Sequence, residues 1–268
     1  MDNYLVYGNP IAQSKSPTIH QWFAEQTKQN LHYDKKQSTP DTFVADIQSF
    51  IAQGGKGANV TAPFKEQAML MCDELSDRAQ AAGAVNTLHF ENGKIYGDNT
   101  DGVGLVNDLK DHDVTLTNKT ILLMGAGGAS RGVILPLLEQ QPKSIIIVNR
   151  TLSKAQALVE RFSDPKLSAI SFEITQTIHA DIIINATSAS LSSKLPNLAE
   201  SIVKGSTCYD MVYGKQLTPF LLWCQQHNAD QVIDGLGMLV GQAAESFYKW
   251  RKVKPNADKV LKDLRKAL

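Results

Sequence analysis

"TILLMGAGGASRGVILPLLEQ" (residues 120–140) joins an apolar, strand-like run, a glycine-rich turn and an apolar helix-like run. A buried strand that ends on a glycine-rich turn and passes directly into a helix presents unpaired backbone N–H groups, and the positive end of the helix dipole, to an anion. Glycines permit both the tight turn and the close approach of backbone to a pyrophosphate. Gly125, Ala126, Gly127, Gly128 and Ala129 are therefore expected to cradle the phosphates of a dinucleotide. Ser130 occupies the third position of G-x-G-x-x-[G/A], so the fingerprint is a variant one.

Outward from this turn the same texture continues. "SIIIVNR" (144–150) reads as a second buried strand, "SKAQALVERF" (153–162) as a helix and "ADIIINATS" (180–188) as a third strand. "STCYDMVY" (206–213) and "ADQVIDGLG" (229–237) read as a fourth and a fifth. Near-continuous β-branched runs, rather than alternating ones, mark strands buried on both faces, as in a parallel sheet flanked by helices. Residues 102–236 are expected to form a Rossmann-like, doubly wound α/β domain.

The end of the second strand lies about 25 residues after Gly125, where NAD enzymes place a carboxylate against the ribose 2′-hydroxyl. Here the chain has "VNRT" (148–151) instead. Asn149, Arg150 and Thr151 offer a guanidinium and neutral hydrogen-bonding groups, with Lys154 one turn on. A carboxylate would repel a 2′-phosphate, whereas arginine pairs with it in fork geometry. The residues favour NADP over NAD.

The preceding block has a different character. "YLVYG" (4–8) is a short strand, and "SPTIHQWFAEQTKQ" (16–29) opens a helix with Ser16 as N-cap and Pro17 at the first helical position. "TPDTFVADIQSFIAQGG" (39–55) repeats cap, apolar stripe and glycine stop, and "ENGK" (91–94) reads as the turn of a hairpin. From "GMLVGQAAESFYKW" (237–250) onward the chain is helical, interrupted at Pro255, and its tail is expected to pack back on the first block. The expected domains are 1–101 with 237–268, an α/β substrate domain, and 102–236, the dinucleotide domain.

The 268 residues carry 27 Lys plus Arg against 27 Asp plus Glu, so no global field steers the chain toward nucleic acid or an anionic membrane. No apolar run approaches the roughly 20 residues that span a bilayer, and the first residues do not read as a signal peptide. Three irregularly spaced cysteines, Cys72, Cys208 and Cys224, fit free thiols in a reducing cytoplasm and neither a disulfide framework nor a metal site. A homodimer is allowed but not indicated.

"NVTAPFKEQAML" (59–70) places a lysine at the first turn of a helix, directly after a proline corner and an apolar Phe64 suited to anchoring it. A cation at a helix N-terminus is electrostatically disfavoured, so a purely structural design would avoid Lys65 there. Ser14 and Ser16, in "GNPIAQSKSPTIH" (8–20), stand at a helix entrance where hydroxyls and backbone N–H groups can hold a carboxylate.

"GNPIAQSKSPTIH", "NVTAPFK", "GAVNT", "GDNTDGVG", "GAGGASRG", "NRT", "NATS", "YDMVY" and "DGLGMLVGQAA" occur in the order found in shikimate dehydrogenases, and the chain resembles that family from residue 8 to about residue 244. The resemblance implies reversible NADPH-dependent reduction of 3-dehydroshikimate to shikimate, in the pathway to chorismate and the aromatic amino acids, with the substrate in a cleft between two domains. It implies that Ser14 and Ser16 hold the substrate carboxylate and that Tyr213 closes that end. Asn59, Thr61, Asn86, Asp101 and Gln242 would bind the ring hydroxyls, and Lys65 would be the acid/base, assisted by Asp101. Thr187, Met211, Gly235 and Met238 would line the nicotinamide side, and Asp77 is a further cofactor-side candidate. The family pattern continues "NATS" as Ser-x-Gly-Met, whereas this chain has Ser190 at the glycine position.

Three other readings compete. A paralogue of the same fold could oxidise quinate with NAD, which Arg150 without an acidic neighbour disfavours. A non-catalytic NADP-binding sensor would have little use for Lys65, Asp101 and the two serines together. A ketoreductase sharing only the glycine-rich half would need a different first hundred residues. His20, Glu245, Tyr248, Trp250 and the last helix, "ADKVLKDLRKAL" (257–268), read as packing or solvated face.

Overall fold

The computed structural model describes residues 1–187, 189, 195 and 197–268. Ser190 lies outside the described residues. The chain divides into two compact units, one of residues 1–104 with 239–267 and one of residues 105–238. Both divisions fall inside helices, two to three residues beyond the expected 101/102 and 236/237, because the helices Asp101–Asp111 (α5) and Leu236–Arg251 (α9) run on through them.

In the first unit the order is β1 (Asp2–Gly8), α1 (Ser16–Thr27), β2 (Leu31–Gln37), α2 (Phe43–Ala52), β3 (Gly57–Val60), α3 (Lys65–Leu70), β4 (Glu74–Leu75), α4 (Asp77–Ala82), β5 (Thr87–Glu91) and β6 (Lys94–Asp98). Most of α9 and the last helix, α10 (Ala257–Lys266), complete it. The six strands form one mixed sheet in the order β2-β1-β3-β5-β6-β4. Asn92 and Gly93, both at positive φ (52° and 75°), close the β5–β6 hairpin. Two positive φ values match the right-handed twist of the flanking strands, which is why Asn-Gly is favoured there.

One face of this sheet packs Tyr7, Phe43, Ile47, Val60, Phe64 and Leu88 into an apolar core. Elsewhere in the unit His20, Phe23, Tyr33, Phe247 and Trp250 form an aromatic cluster. The Trp250 indole N–H donates to the Leu88 carbonyl (3.0 Å). This is how the carboxy-terminal helix α9 is tied to the first sheet, and Asn256 caps α10 by accepting from the Lys259 N–H (3.0 Å). β2 and β4 carry no strand signature in the sequence. "LHYDKKQ" is too polar, since only Leu31 and Tyr33 of an edge strand are buried, and β4 has two residues.

Ser16 is the first helical residue of α1 rather than its cap. The Ser14 hydroxyl sits one step earlier and accepts from the Ser16 N–H (3.3 Å), while the Ile19 N–H already donates to the Lys15 carbonyl (3.1 Å). Lys15 thus takes the cap position that the Ser-Pro signal assigns to Ser16.

In the second unit the order after α5 is β7 (Thr120–Met124), α6 (Gly128–Leu138), β8 (Ser144–Val148), α7 (Leu152–Phe162), β9 (Leu167–Ile170), β10 (Ile182–Asn185), β11 (Thr207–Asp210), α8 (Pro219–Gln226) and β12 (Gln231–Asp234). All six strands are parallel, in the order β12-β11-β10-β7-β8-β9. Leu122 and Met124 enter one core and Ile121 and Leu123 the other. Burial on both faces explains why these strands read as unbroken apolar runs. The sixth strand, β9, was not expected. Its "LSAI" is short and lies at the sheet edge, with Leu167 its one buried residue.

Candidate active site

β1, β3 and β6 run in one direction and β5 in the opposite one. The segments after β1, β3 and β6, and the segment before β5, therefore share one edge of the first sheet. Ser14 and Ser16 follow β1, Thr61 and Lys65 follow β3, Asn86 precedes β5, and Asp101 follows β6. The sheet thus gathers on one edge groups that are up to 87 residues apart in sequence. The β1 and β3 loops meet closely. A Cβ on Gly8 would lie 2.5 Å from the Thr61 Cγ2, so glycine is needed at that contact.

Phe64 anchors the corner, buried and stacked on Phe43 with ring centroids 4.7 Å apart. Lys65 then begins α3 and directs its ammonium to Asp101, with Nζ 2.5 Å from Oδ2. The carboxylate offsets the unfavourable placement of a cation at a helix start. The lysine side chain keeps 24% of its surface exposed and the aspartate 11%, so the pair is sheltered without being sealed.

The other Asp101 oxygen accepts from Asn86 Nδ2 (2.8 Å). Asn86 is itself fixed, because its Oδ1 accepts from the Thr100 N–H (2.9 Å) and the Thr87 hydroxyl (2.7 Å). Its amide nitrogen must therefore face Asp101, the Thr100 hydroxyl (2.9 Å) and, more distantly, Gln242 Oε1 (3.4 Å). Asn86, Asp101 and Lys65 form one oriented chain. An ammonium held this way can pass a proton to, or take one from, an oxygen placed against it, while the carboxylate fixes its direction.

Asn59 lies behind this chain. Its Oδ1 accepts from the Tyr33 hydroxyl (2.7 Å), and its Nδ2 faces the Asn86 carbonyl (3.1 Å), Thr87 (3.2 Å) and Ser246 (3.0 Å). Through the Asn86 carbonyl, Asn59 supports Asn86 from within the fold. Thr87, Thr100, Ser246 and Tyr33 escaped the sequence reading. Two of them carried a signal, since Thr100 sits inside "GDNTDG" and Ser246 lies one helical turn after Gln242 on the same face of α9. His20 packs flat on Tyr33 at 4.1 Å, and burial pushes its imidazole down to about 3. Asp77 opens α4 as an exposed residue, after the Ser76 hydroxyl that caps the helix.

In the second unit the strand order reverses beside β7, between β8 on one side and β10 on the other, which is the crevice where doubly wound sheets bind ligands. The site fits a dinucleotide on its own geometry. Gly125 has φ +106°, and a Cβ there would sit 3.2 Å from Thr187 Cγ2, so only glycine holds this turn comfortably. Among the described residues a Cβ on Gly127 would meet nothing within 4 Å, and no side chain caps the first turn of α6. Its N–H groups are left for an anion. Ser130 donates its hydroxyl to the Gly125 carbonyl (2.8 Å), which pins the turn where the fingerprint has a small residue.

Asn149 Nδ2 donates to the Thr151 carbonyl (2.8 Å), shaping the corner after β8 that leaves Arg150, Thr151 and Lys154 exposed. Thr187 follows β10 and donates its hydroxyl to Asn185 Oδ1 (2.7 Å). Met211 follows β11 and Gly235 follows β12, and a Cβ on Gly235 would lie 2.2 Å from the Met211 carbonyl oxygen. From β8 to β12 is four strand spacings, about 19 Å, a span suited to an extended dinucleotide. Tyr213, half-buried after β11, belongs to this unit, whereas the other substrate-side candidates belong to the first. Burial raises its phenol.

Among the described residues no helix is long and apolar enough to cross a membrane, and no group of three or more His, Cys, Asp or Glu side chains could hold a metal ion. All three cysteines are free thiols.

The shikimate dehydrogenase substrate binding domain matches residues 6–88, shikimate / quinate 5-dehydrogenase matches residues 108–206, and the shikimate 5′-dehydrogenase C-terminal domain matches residues 235–265. The shikimate dehydrogenase (NADP(+)) of Colwellia psychrerythraea is 57% identical over 268 residues, covering 100% of this chain and 98% of its own. An Ael1 enzyme from Pseudomonas putida superimposes with a TM-score of 0.95 at 42% identity, covering 98% of each chain. The shikimate 5-dehydrogenase of Thermus thermophilus, solved in complex with NADP(H) and shikimate, gives 0.90 at 30% identity over 100% of both chains. With both halves matched in order and along their full length, the chain belongs to the shikimate dehydrogenase family.

Proposed function

We propose that this chain catalyses the reversible, NADP-dependent interconversion of shikimate and 3-dehydroshikimate, with Lys65 as acid/base and Asp101 as the group that directs it. The observation that carries the reading is the oriented chain Asn86–Asp101–Lys65, with Nζ 2.5 Å from the carboxylate. NADP, held at Gly125 to Ala129 and by Asn149, Arg150, Thr151 and Lys154, supplies hydride exchange at the substrate carbon. In reduction Lys65 protonates the oxygen on which negative charge develops, and in oxidation the neutral amine takes the hydroxyl proton. Asp101, fixed by Asn86, keeps the Lys65 Nζ aimed. Ser14 and Ser16 hold the carboxylate of the ring acid, and Thr61, Asn86 and Gln242 its hydroxyls. Tyr213 closes the carboxylate end, and Thr187, Met211, Gly235 and Met238 line the nicotinamide side.

The enzyme acts on small molecules rather than nucleic acid. Its three free thiols suit the cytoplasm, and a homodimer is compatible with the reading and would sediment at twice the chain mass. Initial rates with shikimate and quinate, each with NADP⁺ and NAD⁺, test the function. Shikimate with NADP⁺ is expected to be fastest. Quinate with NAD⁺ outpacing it would assign the chain to the competing activity.

A further inference from the structure

The second unit contains a buried carboxylate that the reaction does not consume. Asp108, on α5, is 3% exposed. Its Oδ2 accepts from the Tyr209 hydroxyl (2.6 Å) and from the backbone N–H of Met238 (3.1 Å), and its Oδ1 lies 3.2 Å from His112 Nδ1. Burial raises this carboxyl above its ordinary range, against the opposing pull of Tyr209, His112 and the Met238 N–H. Asp234 adds to the rise. A buried charge that costs stability is kept where it holds something that an apolar residue could not.

What it holds is the start of α9. Met238 lies in the first turn of that helix, where N–H groups have no partner within the helix. The Leu236 N–H is taken by Asp234 Oδ1 (3.2 Å), and the Met238 N–H by Asp108 from a different helix. The fit is close from both sides. A Cβ on Gly237 would lie 1.9 Å from Asp108 Oδ1, and one on Gly235 would lie 2.2 Å from the Met211 carbonyl oxygen. The segment Gly235–Met238 is thus clamped between the end of β11 and α5. It follows β12, at the edge of the parallel sheet where a dinucleotide's far end must lie.

We propose that Asp108 is a positioning residue for the nicotinamide half of the cofactor: by capping Met238 from α5, with Tyr209 holding the carboxylate in place, it sets where the Gly235–Met238 segment stands. The inference rests on the reading of this segment as the nicotinamide side. It assigns Asp108 no contact with substrate and no share in proton transfer. Loss of the cap lets the segment shift, so the effect falls on cofactor affinity and leaves shikimate affinity alone.

The test compares NADPH affinity, read by fluorescence titration, with steady-state KM values for NADP⁺ and shikimate in Asp108→Ala, Asp108→Asn and Gly237→Ala. Asp108→Ala is expected to weaken NADPH binding and raise the NADP⁺ KM about tenfold, the scale of one buried charged hydrogen bond, with shikimate KM within about twofold. Asp108→Asn keeps an acceptor oxygen for Met238 and should recover most of that loss. Gly237→Ala pushes against the same carboxylate without removing it and should reproduce the Asp108→Ala split, which keeps the test open should Asp108→Ala not fold. NADPH binding unchanged in both Asp108→Ala and Gly237→Ala, or an equal loss for cofactor and shikimate, would overturn the proposal. A wild-type protein that binds NADPH but does not oxidise shikimate would overturn the proposed reaction instead, and the NADPH titration would still decide the role of Asp108.

Discussion

Asp98 offers a sharp test of how the site edge is held. It ends β6, with its side chain 3% exposed, and it receives an unusual concentration of donors. Arg78 donates twice, from Nε to Oδ1 (2.7 Å) and from Nη2 to Oδ2 (2.6 Å). Lys249 lies 2.6 Å from Oδ2, and the Asn99 N–H (2.7 Å) and the Ser76 hydroxyl both donate to Oδ1. Asn99 and Thr100 separate it from Asp101, so this carboxylate fixes the turn that delivers the Lys65 partner. Removing one member of a buried ion pair costs about 3–5 kcal/mol, because the remaining charge is left uncompensated. Arg78 and Lys249 retain 21% and 37% of their exposure, and Arg78 still reaches Glu245 (3.1 Å), which points to the lower end, about 3 kcal/mol. For a chain of this size that is a fall in Tm of about 6–12 °C for Asp98→Asn at neutral pH.

The pH dependence has a definite sign. Burial alone would raise the Asp98 carboxyl, but Arg78, Lys249 and Ser76 outweigh it and hold the group well below its ordinary value of 3.8. A depressed carboxyl contributes stability above the unfolded value and loses it as pH falls toward the folded one. The gap between wild type and Asp98→Asn should therefore be full at pH 7 and shrink below about pH 3.8. Thermal unfolding of both proteins from neutral pH into the acid range reads this directly. A Tm difference under about 2 °C at neutral pH, well short of the expected fall, or a gap that widens on acidification, would refute the reasoning.

The buried His20 should make a separate, milder acid dependence. Its imidazole is pushed down to about 3 by burial, so the unfolded chain takes up a proton below about pH 6.5 that the folded one resists. Stability is then lost as pH falls through that window, by about 2 kcal/mol between about pH 6.5 and 5, and His20→Leu should flatten this part of the denaturation profile. At the adenosine end, Arg150→Ala should raise the NADP⁺ KM roughly 10- to 100-fold, the worth of a charge-assisted hydrogen bond to phosphate, with NAD⁺ kinetics little changed. Equal effects on the two cofactors would remove Arg150 from the 2′-phosphate.

The second unit was legible in the sequence because its physics is local. Apolar runs buried on both faces, and a turn that only glycines can make, announce themselves in a few residues. β9 escaped because an edge strand with one buried side chain lacks that signal. The first unit was less open to reading. Its polar edge depends on a mixed sheet that brings the ends of β1, β3 and β6 beside the start of β5, and no spacing in the chain encodes that register. From its local sequence Lys65 stood out because a cation is misplaced at a helix start, and the resemblance gave it a role. Two residues that fix its surroundings, Tyr33 and Thr87, look like any buried polar side chains until their hydrogen bonds to Asn59 and Asn86 are traced. Asp108 shows the same limit, since a carboxylate on a helix face usually points to water, and only the fold turns it toward Tyr209 and Met238.

The most direct measurement is NADP⁺ reduction on addition of shikimate by Lys65→Met, with NADPH binding followed in parallel. Methionine keeps most of the side-chain volume and removes the ammonium. The predicted result is a fall in kcat of about 10²–10⁴-fold, the usual contribution of a positioned acid/base, with NADPH affinity unchanged. Turnover within twofold of wild type would contradict Lys65 as the proton carrier.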